Sequence, residues 1–390
     1  MSRSIRRLVE LVSVAAIAFM AAGGAHTAAA STVPAFDHVF IIMMENHAFN
    51  EIIGSAQAPF INSLASQEGL ATQSFAVSHP SLPNYLAATG GSTFGITTDC
   101  TTCFVNAPNI AVDRVETSGR TWKAYMEDYP GNCFLGDSGE YAQKHDPFLY
   151  YNDIRTNPTE CARVVPFSNL AGDLSATATT ASYSWITPNL IDDMHDGTIA
   201  QGDTWLQQHV PAILNSPAFT TQNSLLVITW DEDDGTEGNQ VPTIVVQKSP
   251  TAGFRSSTMY SHYSLLSTIE QAWGLTALTS NDAAATSLSA FFTPPTGTPP
   301  GAPTGVSATA GHHGTAKVTW TPPAATGGCA ISSYSIAPSP QTGAVTIVGG
   351  TATSATVSGL ARRTTYTFTV TATNCAGAGP ASAPSNPITG

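Results

Sequence analysis

The chain has 390 residues, with 27 Asp and Glu against 14 Lys and Arg, a formal net charge of −13 and only 11% charged residues. A sparse, acidic charge pattern excludes the basic surface that a polyanion requires, so nucleic acid is not expected as a partner. At roughly 100–200 residues per domain, the length allows two domains, or one large domain with an appendage.

The chain opens with a basic head, Arg3, Arg6 and Arg7, followed by the apolar stretch Leu11 to Ala22 and the small residues Ala28, Ala29 and Ala30. This is the pattern of a secretory signal peptide over residues 1–30, and it predicts a secreted, extracellular protein. The apolar run is shorter than the ~20 residues that span a bilayer, so no stable membrane insertion is expected. Six cysteines in an exported chain predict up to three disulfides. Cys329 and Cys375 lie near the end and are expected to pair with each other. Cys100, Cys103, Cys133 and Cys161 allow three pairings, of which Cys100 with Cys103 and Cys133 with Cys161 is the expected one, with a structural zinc site as the alternative.

From residue 31 to 292 two periodicities mix. The runs Val39 to Met44, Leu225 to Trp230 and Thr243 to Val246 are apolar without alternation, as strands buried on both faces are. Ala58 to Ala65 and Tyr263 to Trp273 carry apolar stripes at helical spacing. These patterns predict a layered α/β domain with a mainly parallel central sheet. Residues 293–303, rich in Pro, Gly and Thr, predict an extended linker. In residues 304–390, alternating runs such as Ala316 to Trp320 and Thr365 to Val370, punctuated by Gly and Pro, predict short half-buried strands of a β-sandwich. Trp320, Leu360 and Tyr366 resemble the core landmarks of a fibronectin type III domain.

In such sheets, chemistry gathers beyond the carboxyl ends of the strands. Glu45, Asn46 and His47 leave the first strand. Asp231, Glu232, Asp233 and Asp234 leave Leu225 to Trp230, and so many like charges at a sheet end call for a cation or for protons. A solvated acidic turn is the bland alternative. Ser81 precedes Leu82-Pro83-Asn84-Tyr85, where it would serve as a helix cap with Pro83 in the first turn. A helix start also presents free N–H groups that suit a phosphate. Asp192, Asp193, His195 and Asp196 follow the predicted strand Tyr183 to Ile186. His79, His262 and the pair Lys144-His145 complete the polar candidates, the last three being also ordinary capping or surface groups.

In order and placement, His38 to Asn46, Ser78 to Gly91, Tyr125 to Asp128, Lys144 to Tyr151, Ile186 to Gly197, Thr229 to Gly235 and Ser261 to Glu270 resemble the phosphoesterase family, the secreted acid phosphatase and phospholipase C branch of the alkaline phosphatase superfamily. The resemblance implies a three-layer α/β/α sandwich of alkaline phosphatase type. It also implies a divalent metal ion (Mg, Mn, Ca or Zn) on Glu45, Asn46, Ser81, Asp231 and Glu232. Ser81 then matches the nucleophile and Asn84 a phosphate contact, with His79, His195 and His262 as phosphate contacts or proton donors. Asp192, Asp193 and His195 fall where two-metal relatives hold a second ion. The implied substrate is a phosphate ester, attacked through a phosphoseryl intermediate. The short catalytic region and the opening Met44-Glu45-Asn46-His47 favour an acid phosphatase over a phospholipase C. A cell-surface binding protein with an inert catalytic domain is the alternative outside the enzyme class. The C-terminal module is expected to contact a polymer or cell surface.

Overall fold

The computed structural model describes residues 33–248, 253–292, 297–329, 331–340, 345–374 and 376–390. The predicted signal peptide and Cys375 lie outside the described residues.

The strands of the first domain are β1 His38–Met44, β2 Gly69–Ala71, β3 Ser74–Phe75, β4 Trp122–Met126, β5 Val164–Pro166, β6 Tyr183–Thr187, β7 Ser224–Trp230, β8 Thr243–Gln247, β9 Arg255–Ser256 and β10 Tyr260–Ser261. Eight of them form one sheet in the order β5-β4-β6-β1-β7-β8-β2-β9, while β3 and β10 form a separate pair. From β5 to β7 every pairing is parallel. β8 is antiparallel to both β7 and β2. That reversal has a local cause: no helix lies between Trp230 and Thr243, and a parallel return usually runs through a crossover helix.

The apolar run of β1 shows why this is a three-layer sandwich. Its alternate residues serve opposite cores. Val39, Ile41 and Met43 pack with Leu82 and Leu86 of the Ser81–Gly90 helix and Ile269 of the His262–Trp273 helix. Phe40, Ile42 and Met44 pack with Ile61 of the Pro59–Gln67 helix and Leu206 and Val210 of the Ile199–Leu214 helix. A strand covered by helices on both faces has no polar face to show in its sequence.

The C-terminal domain is an antiparallel sandwich with its own core of Trp320, Tyr334, Leu360, Tyr366 and Phe368. Burial alternates strictly along Ala316–Thr321. The Tyr366 hydroxyl accepts a bond from the Ala361 amide at 3.1 Å, closing a corner at the start of strand Thr365–Asn374. The described part of the predicted linker is irregular, but it is not a free spacer. Thr298 and Gly301 donate to the carbonyls of Gly327 and Ala325. Disulfides join Cys100 to Cys103 and Cys133 to Cys161, and Cys329 is also disulfide-bonded. No helix among the described residues is long and apolar enough to cross a membrane.

One buried acid pair sets an expectation for stability. Glu270 and Asp282 are nearly inaccessible, and both accept the Leu278 amide, at 3.1 and 2.6 Å. Burial, then the Asp282 charge, pushes Glu270 up to about 8. The folded state therefore holds a proton that the unfolded chain releases above its ordinary value near 4.5. The stabilisation is complete below that value and is lost as pH rises towards 8. Each pKa unit is worth about 1.4 kcal/mol, so melting is expected several degrees lower at pH 8.5 than at pH 5. Glu270→Gln should flatten part of this slope; an unchanged slope would remove Glu270 as its source.

Candidate active site

Parallel register brings the acidic strand exits together. Met44 pairs with Trp230 at the last step of the β1–β7 ladder, and the Asp231 amide donates to the Met44 carbonyl at 3.0 Å. Glu45 and Asp231 thus emerge side by side, both fully buried. On the other flank, the Glu45 amide donates to the Asp193 carbonyl at 2.9 Å, which draws in the loop after β6. Asn46 takes a left-handed turn, φ 48°, a conformation asparagine tolerates better than most residues.

Ser81 begins its helix, but not as the cap. The cap position is Pro80, whose side chain cannot cap, and the Ser81 hydroxyl does not cap either. The hydroxyl, 1% exposed, instead faces two carboxylates, donating to Glu45 Oε2 at 3.2 Å or to Glu232 Oε1 at 3.4 Å. Glu45 Oε1 accepts the Tyr85 hydroxyl one turn further along the same helix. Burial, then Asp193, holds Glu45 well above the ordinary carboxylate range; burial, then Glu45, does the same to Asp231. Two buried oxygens beside them, Asn46 Oδ1 and Asp231 Oδ2, have no hydrogen-bond partner among the described residues. Crowded buried carboxylates with unpartnered oxygens and no sulfur are a donor set for a hard divalent cation.

The histidines divide by role. His79 is half exposed and lies between Glu232 Oε2, 2.7 Å from Nδ1, and Asp233 Oδ1, 3.2 Å from Nε2. His262 is buried, its Nε2 donates to the Asp231 carbonyl at 2.6 Å, and burial pulls it down to about 4. It braces a strand exit as a neutral ring and is not placed to give up a proton. His195 meets the Lys144 ammonium at Nε2, 2.9 Å, and Asp196 at Nδ1, 2.7 Å. An ammonium only donates, so Nε2 is the acceptor and the ring proton sits on Nδ1. Of the three histidines expected as phosphate contacts or proton donors, His79 is the most exposed, while the Nε2 atoms of His195 and His262 are engaged by Lys144 and by the Asp231 carbonyl.

Three other expectations also change. Asn84 is fully buried and spends its amide on its own loop, accepting from Val77 and Ser78 and donating to the carbonyls of Ser78 and Pro80. It shapes the turn holding Ser81, leaving no donor for a phosphate oxygen. The helix start offers fewer amides than expected, because Leu82 donates to Asp99 Oδ1 at 2.9 Å and Pro83 has no N–H. Asp192 and Asp193 diverge. Met194, φ 84°, turns the loop, and a Cβ on Gly197 would meet the Ile191 carbonyl oxygen at 1.9 Å. Asp193 is buried against His145 Nδ1 at 3.1 Å, whereas Asp192 lines a separate groove of about 460 Å³ with Glu127 and Gln208.

The sequence reading undervalued His145. It is buried, stacked on Tyr85 with ring centroids 5.5 Å apart, and its Nε2 lies 3.3 Å from Glu45 Oε1 without a hydrogen bond. Burial, then Lys144, keeps its pKa well below the ordinary histidine value. Glu45, His145 and His195 bring three ligand atoms within 4.8 Å of one another. Of the expected second set, His195 belongs to this cluster, while Asp192 and Asp193 do not.

A model of the phosphoesterase family matches residues 54–276, more than half of the chain, and a fibronectin type III model matches residues 301–388. The chain belongs to the phosphoesterase family. The chemistry of this phosphoesterase is hydrolysis of phosphoric ester bonds. It is 42% identical over 251 residues to a Mycobacterium tuberculosis phosphatidylinositol-3-phosphatase, covering 63% of this chain and 80% of the relative. It is 30% identical over 257 residues to an Aspergillus fumigatus acid phosphatase, covering 63% of this chain and 56% of the relative. A Vibrio parahaemolyticus protein of the alkaline phosphatase superfamily aligns with TM-score 0.46 and 11% identity, over 75% of this chain and 79% of that one.

Proposed function

We propose that the protein is an exported, metal-dependent phosphomonoesterase of the acid phosphatase kind, working through a phosphoseryl intermediate. The observation that carries this is the Ser81 hydroxyl, which does not cap its helix and is aimed at Glu45 and Glu232 beside the unpartnered oxygens of Asn46 and Asp231. Glu45, Asn46, Asp231 and Glu232 would hold a divalent cation (Mg, Mn, Ca or Zn), which when bound lowers the pKa of the serine hydroxyl and offsets phosphoryl charge.

Ser81 passes its proton to a neighbouring carboxylate, and Oγ forms a bond to phosphorus as the ester P–O bond breaks. The electron pair leaves with the alcohol oxygen, which takes a proton from His79, held between Glu232 and Asp233 at the exposed side of the site. His79 then accepts a proton from the attacking water, and the new oxygen bonds to phosphorus as the Ser81 Oγ–P bond breaks. The carboxylate returns its proton to Oγ, so phosphate leaves and every group regains its starting form. Export accords with the disulfides Cys100–Cys103 and Cys133–Cys161.

The mycobacterial relative's name adds a phosphomonoester on an inositol lipid to the substrates worth testing. The test is phosphate release from p-nitrophenyl phosphate, from an alkyl phosphate and from phosphatidylinositol 3-phosphate vesicles, beside diacylglycerol release from phosphatidylcholine. Wild type is expected to release phosphate and negligible diacylglycerol. His79→Asn should lose roughly 10²-fold or more on the alkyl phosphate, the poorer leaving group, and much less on p-nitrophenyl phosphate. Diacylglycerol as the main product would make the enzyme a phospholipase C, and equal losses on both phosphates would remove His79 as the acid.

A further inference from the structure

The site is crowded with negative charge. Glu45, Asp193, Asp231, Glu232 and Asp233 are buried within it, and Asp99 sits at the start of the Ser81 helix. A divalent cation offsets only two of these charges. A phosphomonoester dianion adds two more, whereas a diester adds one, so the monoester needs a further positive charge in the site.

Lys144 is that charge. Its Nζ lies 3.1 Å from Asp99 Oδ2 and 2.9 Å from His195 Nε2, with the side chain 19% exposed. The ammonium has three donors, and these partners use two, leaving one for an incoming oxygen. Asp99 binds the Leu82 amide through its other oxygen, so a single carboxylate ties the ammonium to the residue following Ser81. Lys144 precedes His145, whose Nε2 lies 3.3 Å from Glu45 Oε1, and its ammonium touches His195 of the same cluster, so it borders the acids the nucleophile faces. His195, fixed as an acceptor, steers the ammonium.

We propose that Lys144 binds the nonbridging phosphoryl oxygen that a monoester carries as charge and a diester carries as an ester link, making it the residue that selects monoesters over diesters. This rests on the monoesterase reading above. The test compares p-nitrophenyl phosphate with methyl p-nitrophenyl phosphate, which share a leaving group, for wild type, Lys144→Met and Lys144→Arg. Lys144→Met is expected to lower kcat/KM for the monoester by roughly tenfold to a hundredfold, the range for losing a hydrogen bond to a charged group, and to leave the diester within a few-fold. Inhibition by inorganic phosphate should weaken in parallel, and Lys144→Arg should recover part of both. Equal losses on the two substrates would overturn the proposal and leave Lys144 a brace for Asp99 and His195. A wild-type enzyme that shows no monoester preference would instead overturn the monoesterase reading beneath it.

Discussion

Ser81→Ala is expected to abolish phosphate release, with a fall in kcat on the order of 10⁴-fold or more, as when the nucleophile of a covalent mechanism is removed. The fold should survive. Ser81 does not cap its helix, and Ala has the highest helix propensity, so the cost is confined to one hydrogen bond toward Glu45 or Glu232, about 1 kcal/mol. Melting within a few degrees of wild type would confirm that the site is lost and the scaffold kept. A second readout is independent of turnover: acid-quenched wild type given labelled p-nitrophenyl phosphate should carry phosphate on the peptide containing Ser81. Near-normal release by Ser81→Ala would sink the nucleophile assignment. Full loss without a trapped phosphoserine would leave Ser81 essential but would overturn the covalent step.

Much of this site was legible because it is built from strand exits. A doubly buried strand reads as an unbroken apolar run, and the first polar residues after it, Glu45 and Asp231, are then fixed to the carboxyl edge by parallel register. What could not be read lies in loops, where neither period nor register constrains direction. Asp192 and Asp193 are adjacent and chemically identical, yet a left-handed Met194 accompanies one turning inward and the other outward. His145 sits in a short 3₁₀ turn with no pattern, and its role comes from stacking on Tyr85, a contact far from it in sequence. Asn84 stands where a phosphate contact was expected, but its bonds are decided by the shape of the loop from Val77 to Pro80. The reversal at β8 did leave a signal, the helix-free connection after Trp230, which the apolar run Thr243 to Val246 masks.

The carboxylates that make the site should also make it a burden when no cation is bound. Burial and mutual repulsion hold Glu45 and Asp231 above the ordinary carboxylate range, so in chelated protein the folded state favours their protonated forms. Their contribution to stability is fully present below the unfolded value near 4 and is lost as pH rises past it towards neutrality. Chelated wild type should therefore melt several degrees lower at pH 7.5 than at pH 5. A saturating divalent cation at pH 7.5 should reverse this, contributing about 2.7 kcal/mol at a hundredfold excess over Kd. Glu45→Gln separates the causes. The amide can still accept the Tyr85 hydroxyl but carries no charge, so chelated Glu45→Gln should melt above chelated wild type at pH 7.5 while activity falls below about 1%. Its melting should barely respond to added cation, because a charged ligand and its pull on the ion are gone together. If chelated Glu45→Gln melted below chelated wild type, and cations left the wild-type melting unchanged, the buried acids would be a protonated structural cluster and not a metal site.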